Sequence, residues 1–344
     1  MARSSTSILL PKSSRCRRKR QIIRARAGEE TLSTAVHPQI EVALAALAEA
    51  NLPPVESLTP AQARATFNAM SRARGGTPAS IARAEDGIVP GPDGDVPVRI
   101  YWPIATGPRP ALIYCHGGGH VFGDLDTHDV IARNLCGGAE VVVVAVDYRL
   151  APEHKFPAAA EDAWAAYNWV RDTGASLGVD ISRLAVGGDS AGGNLAAVVA
   201  IMARDAGHTN IKLQVLIYPV TDYSLSSDSY NQFGEGYGVL TSGAMKWFSQ
   251  HYLRSAEDAD DWRASPIKAK SLANLPPAFV VAAQCDVLCD EGADYAEALG
   301  AAGTKVERKE YAGMIHGFFG MTPAIDDAVR AQSDVSNTLR SALT

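Results

Sequence analysis

Two short motifs in this sequence set out residue types that nucleophilic chemistry at a carbonyl uses. The segment GDSAGG at 188–193 fits the pattern G-x-S-x-G around Ser190. Small residues beside a serine permit a sharp, strained turn from a strand into a helix, which leaves the hydroxyl exposed above a sheet. The first N–H groups of the following helix are unpaired and partly positive, so they can hold an anion. The segment HGGGH at 116–120 is the second motif. Three adjacent glycines let the chain approach a ligand closely and aim N–H groups at a developing negative oxygen. Chance supplies roughly 0.2 matches to the serine pattern and about 0.005 to His followed by three Gly, so the glycine run is the more specific signal. A second serine match, GASLG at 174–178 around Ser176, follows a helical stretch and precedes a strand. That context puts Ser176 at the opposite end of the sheet and selects Ser190.

A third stretch, AQCDVLCDEG at 283–292, crowds Cys285, Asp286, Cys289, Asp290 and Glu291 together. A metal site, a redox pair or one acid of a catalytic set could each use such residues. A lone C-x-x-x-C without a second Cys or His pair lacks the usual metal ligand set and is a poor redox motif, so no metal is expected. The glycine run has neither the Lys-Ser/Thr ending of a phosphate loop nor a G-x-G-x-x-G opening a helix, so no phosphate cofactor is expected either.

The elements that must hold these residues come from an alternation along the chain. Short apolar runs at 98–102, 111–115, 140–148, 183–188, 213–219, 278–285 and 305–311 are separated by Ala-rich helical stretches at 158–172, 191–205 and 291–302. Runs apolar on both faces with crossover helices between them predict an α/β protein with a buried, mostly parallel sheet. The last run, KVERKEY, is charged on both faces, as suits an edge strand. Residues 36–74 read as helical, with Ile40, Leu44 and Leu47 on one face, a break at Pro53 and Pro54, and Thr59 and Pro60 as N-cap and first helical residue. The interval 223–265 breaks the rhythm and holds one helix, SGAMKWFSQHYL, whose Trp247, Phe248 and Tyr252 mark a packed or substrate-facing side. The expected division is therefore a basic, disordered leader at 1–30, a helical arm at 31–78, an α/β core at 79–222 and 266–344, and an insertion at 223–265. Arm and insertion are expected to cover one end of the sheet.

Composition narrows the function classes. The formal net charge of −6 hides nine Lys or Arg and no acid within residues 1–28; the rest of the chain carries 23 bases against 38 acids, a net charge near −15. Such an acidic body argues against nucleic-acid binding, which rewards a basic face. The longest apolar run, VVVVAV with its flanks, is strand-sized, so no membrane span is expected. The Ser- and Arg-rich leader has a transit-like composition without a clear amphipathic helix, and its SILL is too short for a signal-peptide core. Five cysteines are sparse for 344 residues and favour a reducing, cytoplasmic setting. A homodimer is carried as an expectation for the assembly.

With GDSAG, HGGG, GDLDTHD at 123–129 and YRLAPEHKFPAA at 148–159 all present, the chain resembles the hormone-sensitive-lipase-like family of α/β-hydrolases over about residues 36–340. The resemblance implies an α/β-hydrolase fold with a helical cap, built from an N-terminal arm and an insertion before the last strands. It also implies the chain order Ser, acid, His. Only His208, His251 and His316 follow Ser190; His208 closes a helix and His251 lies in the insertion, whereas His316 follows the last strand. His316 is thus the expected base, since a serine at its free pKa needs a histidine to take its proton and a carboxylate to orient that imidazole. Asp222, Asp286, Asp290 and Glu291 all follow strands. The family pattern D-x-L-x-D-E falls on DVLCDE and implies Asp286 as the acid, leaving Asp222 as an outside candidate and Asp290 and Glu291 as residues favoured at a helix start. Cys285 and Cys289 become packing positions.

The family's oxyanion donors fall on the backbone N–H groups of Gly118, Gly119 and Ala191. His120 departs from the family, where an aromatic residue is commoner, and is expected to line the pocket. Arg149 and Glu153 are expected to brace loops behind the site. The resemblance implies a carboxylesterase acting on short- to medium-chain esters through an acyl-enzyme, with no cofactor and a small-molecule ester as partner. Hydrolysis of amides, lactones or acetylated natural products is the alternative within the same mechanism. A small-molecule receptor on this fold is a further alternative, and His316 argues against it because the resembling receptors lack that histidine.

Overall fold

The apolar runs assemble into one eight-stranded sheet in the computed structural model, which describes residues 36–74, 76–235 and 239–344. The strands are β1 (Arg83–Gly91), β2 (Gly94–Trp102), β3 (Arg109–Cys115), β4 (Val142–Val146), β5 (Val179–Asp189), β6 (Ile211–Ile217), β7 (Ala278–Cys285) and β8 (Val306–Ile315), in the order β1-β2-β4-β3-β5-β6-β7-β8. The hairpin β1–β2 and the β2–β4 pair are antiparallel, and every pair from β4–β3 through β7–β8 is parallel. All five residues of β4 are buried, because helices cover both faces of a parallel sheet. Charged β8 lies at the sheet edge, where the sequence expects it.

Helices from the arm, the core and the insertion surround this sheet. The arm contributes α1 (Pro38–Glu49) and α2 (Pro60–Arg74). Thr59 caps α2 as expected: its hydroxyl accepts from the Gln62 N–H while the Gln62 side chain takes the Thr59 N–H at 3.0 Å. The core adds α3 (Asp129–Ala139), α4 (Ala158–Thr173) and α5 (Ala191–Asp205), and after the insertion α8 (Cys289–Ala301) and α9 (Asp326–Ala342). Within 223–265 lie α6 (Asp228–Phe233) and α7 (Ser242–Tyr252).

Three of these elements leave little trace in the sequence. Only Val89 of β1 is buried, so this polar strand carries little apolar signal. Helix α3 buries Ile131, Leu135 and Cys136 at helical spacing, but Gly137 and Gly138 in its last turn look like a break. Helix α9 packs on α3, with the Asn134 amide donating to the Gln332 carbonyl at 2.8 Å; its buried stripe is diluted by Ala328 and Ala331.

Residues 36–344 form one compact unit. The expected leader at 1–30 lies outside the described residues. Among the described residues no helix is long and apolar enough to cross a membrane. Because β3, β5, β7 and β8 run parallel, the segments after Cys115, Asp189, Cys285 and Ile315 all emerge at one edge of the sheet. That carboxyl edge is where open α/β sheets place ligands.

Candidate active site

Ser190 stands at the turn from β5 into α5 with φ 57° and ψ −117°, a left-handed backbone that a serine adopts only at a cost of roughly 1–3 kcal/mol. The glycines around it are needed for space. A Cβ at Gly188 or Gly192 would run into the Cys115 carbonyl of the neighbouring strand. The elbow is held from below by the Ser190 N–H, which donates to the Ile217 carbonyl at 2.8 Å, and by the Ser190 carbonyl, which accepts from Val220 N–H at 3.3 Å.

The glycine loop follows β3 directly. Gly118 and Gly119 have φ of 123° and 60°; a side chain at 118 would meet the Phe122 backbone, and one at 119 the Phe248 ring. Only glycine satisfies both the torsions and the crowding. Among the described residues nothing accepts from the Gly118 or Gly119 N–H. Ala191 is the first residue of α5, so its N–H has no partner within the helix.

His316 follows β8 and bridges the two other expected side chains. Its Nδ1 lies 2.7 Å from Asp286 Oδ2, and its Nε2 lies 2.9 Å from Ser190 Oγ. The Tyr218 ring packs against the imidazole, with centroids 4.6 Å apart. Asp286 is buried, and its other oxygen accepts the Leu288 N–H at 3.0 Å. Ser190, Asp286 and His316 therefore lie in one hydrogen-bonded chain. The rival residues do not reach it. Ser176 is exposed and donates to the Thr173 carbonyl in the turn that enters β5, at the sheet's amino end. Asp222 accepts from Ser224 N–H and lies 3.5 Å from the Lys268 ammonium. His208 stacks on Trp164, and His251 packs on Trp247.

Asp290 and Glu291 sit in the first turn of α8, as expected, and each also meets a distant segment. Asp290 accepts the Ser229 N–H at 2.9 Å. Glu291 is buried; its Oε1 accepts from Thr221 N–H at 2.8 Å and Asp222 N–H at 3.3 Å, while Oε2 meets the Tyr230 hydroxyl. Burial pushes the Glu291 carboxyl well above its ordinary value, outweighing the two backbone donors. Its stabilising contribution is therefore complete below the unfolded carboxyl value and declines as pH rises toward the folded value. Glu291→Gln should match wild-type stability at about pH 4, below the ordinary carboxyl value, and exceed it increasingly as pH rises from there through neutrality. Glu291→Leu, which leaves two buried N–H groups unpaired, should lose about 2–5 kcal/mol in thermal or urea unfolding. A wild-type minus Gln difference that stays flat with pH would refute this account of Glu291.

The cysteines of the same stretch are packed and protonated. Cys285 and Cys289 are buried, and burial raises their thiols to about 11 and about 12. Among the described residues no group of three or more His, Cys, Asp or Glu is placed to hold a metal ion.

A cavity of about 330 Å³ opens above Ser190 and His316. Phe67 and Met70 of α2 line it from the arm, Met245 and Phe248 of α7 from the insertion, and Tyr218 from the core. Arm and insertion are tied together across it, since the Trp247 indole N–H donates to the Leu58 carbonyl at 3.2 Å. Arg64 of α2 ties the arm to the core by pairing with Glu153 and donating to the Val121 and Ala151 carbonyls. Arg149 clasps buried Asp162 through several hydrogen bonds, a second loop brace. His120 does not line the cavity, contrary to expectation. It is fully buried, stacked on Tyr252 at 3.9 Å with Nδ1 2.9 Å from the Tyr223 hydroxyl. Burial, helped by the nearby His116, lowers its pKa to about 3. Its left-handed backbone (φ 61°) turns the ring away from the opening and under the insertion.

A strand-borne serine elbow, a glycine loop on the neighbouring strand and a histidine after the last strand define an α/β-hydrolase, and the chain belongs to that family: residues 112–320 match the alpha/beta hydrolase fold. Within it the protein is a carboxylic ester hydrolase of the hormone-sensitive-lipase-like branch. It is 44% identical over 262 residues to the carboxylic ester hydrolase LipN of Mycobacterium tuberculosis, covering 74% of this chain and 69% of that one. It is 42% identical over 237 residues to an ethyl acetate hydrolase of Pseudomonas putida, covering 68% and 74%. Among solved structures, a hyperthermophilic esterase from Pyrobaculum calidifontis superposes with a TM-score of 0.86 at 42% identity, over 89% of this chain and 98% of that one.

Proposed function

We propose that the protein hydrolyses short- to medium-chain carboxylic esters through an acyl-enzyme on Ser190. The observation that carries this reading is the hydrogen-bonded chain Asp286–His316–Ser190 facing a cavity. Asp286 accepts the Nδ1 proton of His316, which leaves Nε2 as the base for the Ser190 hydroxyl. Ser190 Oγ attacks the ester carbonyl, and the N–H groups of Gly118, Gly119 and Ala191 stabilise the oxyanion. His316 then passes its proton to the departing alcohol. A water deprotonated by His316 releases the acid and frees Ser190.

The preference for shorter acyl chains follows from room. A cavity of about 330 Å³ is at the low end of ligand sites, and its lining from arm and insertion is mostly apolar. The test is a panel of p-nitrophenyl esters from acetate to laurate, with a p-nitroanilide as the amide control. Activity should peak at or below hexanoate and fall about tenfold or more by laurate, with the anilide weaker still. Phe248→Leu, which removes ring atoms beside Gly119, should move the peak to longer chains. Equal turnover of laurate and butyrate by the unsubstituted protein would sink the size argument.

A further inference from the structure

We propose that Asp189, the residue before the nucleophile, is a positioning residue that holds the glycine loop in register with Ser190, so that the Gly118 and Gly119 N–H groups converge on the oxyanion. This rests on the acyl-enzyme reading above. Asp189 ends β5 and is 7% exposed. A carboxylate buried to that extent is costly unless it is paired and hydrogen-bonded. Its partners all belong to the segment that carries the loop. Oδ1 accepts the Gly117 N–H at 3.0 Å and the Tyr114 hydroxyl at 2.7 Å, and it lies 3.4 Å from His128 Nε2. Burial pushes the carboxyl up, but the His128 charge and hydrogen bond, together with the Tyr114 hydroxyl, outweigh it and hold Asp189 below its ordinary value.

Gly117 is the hinge through which this acts. Its peptide immediately precedes the two donor peptides, so a rotation there re-aims both. The loop is otherwise fixed by the Tyr148 hydroxyl on the His116 carbonyl at 2.8 Å and by the Gly118 carbonyl, which accepts from Val121 and Phe122 N–H at 3.0 Å each. Between those anchors the Gly117 N–H is gripped by Asp189. The loop packs directly on the carboxylate, since a side chain at 117 would collide with it. Asp189 and Ser190 share a peptide bond, so the grip fixes the spacing between nucleophile and donors rather than either alone. A misplacement of about 1 Å between them can cost about 10²-fold in rate.

The test compares Asp189→Leu and Asp189→Asn with the unsubstituted protein, measuring kcat and KM on p-nitrophenyl butyrate and the inhibition constant of butylboronic acid, which forms a tetrahedral adduct on a serine. Leucine should lower kcat about 10²-fold or more, with KM within about threefold, and should weaken the boronic acid by a similar factor. Asparagine keeps an oxygen that can accept from Gly117, so both losses should shrink to about tenfold or less and remain parallel. If Leu does not fold, the parallel losses in the Asn variant still decide the matter. Loss of kcat with undiminished boronic acid affinity in either folded variant, or unchanged kcat in both, overturns the proposal. Labelling by a p-nitrophenyl phosphonate separates the two levels of inference: its failure to modify Ser190 in the unsubstituted protein would sink the acyl-enzyme reading itself.

Discussion

Ser190→Ala is expected to lower kcat on p-nitrophenyl butyrate by about 10⁵- to 10⁶-fold, the scale seen when a serine hydrolase loses its nucleophile. The loss should fall on kcat and not on the fold. The side chain is small, its backbone is held at the elbow through Ile217 and Val220, and its hydroxyl meets His316 Nε2 at 2.9 Å. With alanine there, the glycine loop and cavity remain, so the substrate still binds while no acyl-enzyme can form. Ser176→Ala is the control, because that hydroxyl only closes a turn on the Thr173 carbonyl, and it should turn over like wild type. Turnover retained in the Ser190 variant, or lost in the Ser176 variant alone, would overturn the assignment. Both are read from one kinetic series beside circular dichroism spectra.

Asp286→Asn should cost about 10⁴-fold in kcat, although it changes one atom. Geometry explains why so small a change is so damaging. Asp286 Oδ1 accepts the Leu288 N–H at 3.0 Å, so an asparagine keeps its carbonyl oxygen on that side and turns its amide NH₂ toward His316. Nδ1 must then accept, which moves the imidazole proton to Nε2 and leaves nothing to take the proton of Ser190. Asp222→Asn is the matching control. Its carboxylate serves the Ser224 N–H and the Lys268 ammonium, so turnover should stay within about threefold of wild type. A large loss in the Asp222 variant with a mild one in the Asp286 variant would exchange the two roles.

What could be read from the sequence shares one physical property: it is local. Parallel strands buried on both faces are written as continuous apolar runs, and β7 matches its predicted run over 278–285 residue for residue. Glycines forced by torsion and crowding, such as Gly118 and Gly119, or by crowding alone, such as Gly192, announce themselves because no other residue fits. Elements whose signal is diluted escaped: β1 is polar along most of its length, α3 ends in two glycines, and α9 fills its buried stripe partly with alanine.

Motif order and strand position pointed to Ser190 and His316, 126 positions apart, because in a parallel sheet every strand delivers its last residue to the same edge, while Asp286 was implied by the family pattern with Asp222 left open. Side-chain partners across the fold were decided only by tertiary structure. Nothing near Glu291 in the chain reveals that it is buried beneath the Thr221 and Asp222 amides, 70 and 69 residues away. His120 reads as a pocket residue until its left-handed backbone and Tyr252 turn it under the insertion. Asp189 reads as the variable position of a serine motif until β3 lays Tyr114 and Gly117 against it. Sequence specifies what each short segment can form, whereas the partner of a buried polar group depends on which distant segments the assembled sheet brings together, and no single segment carries that information.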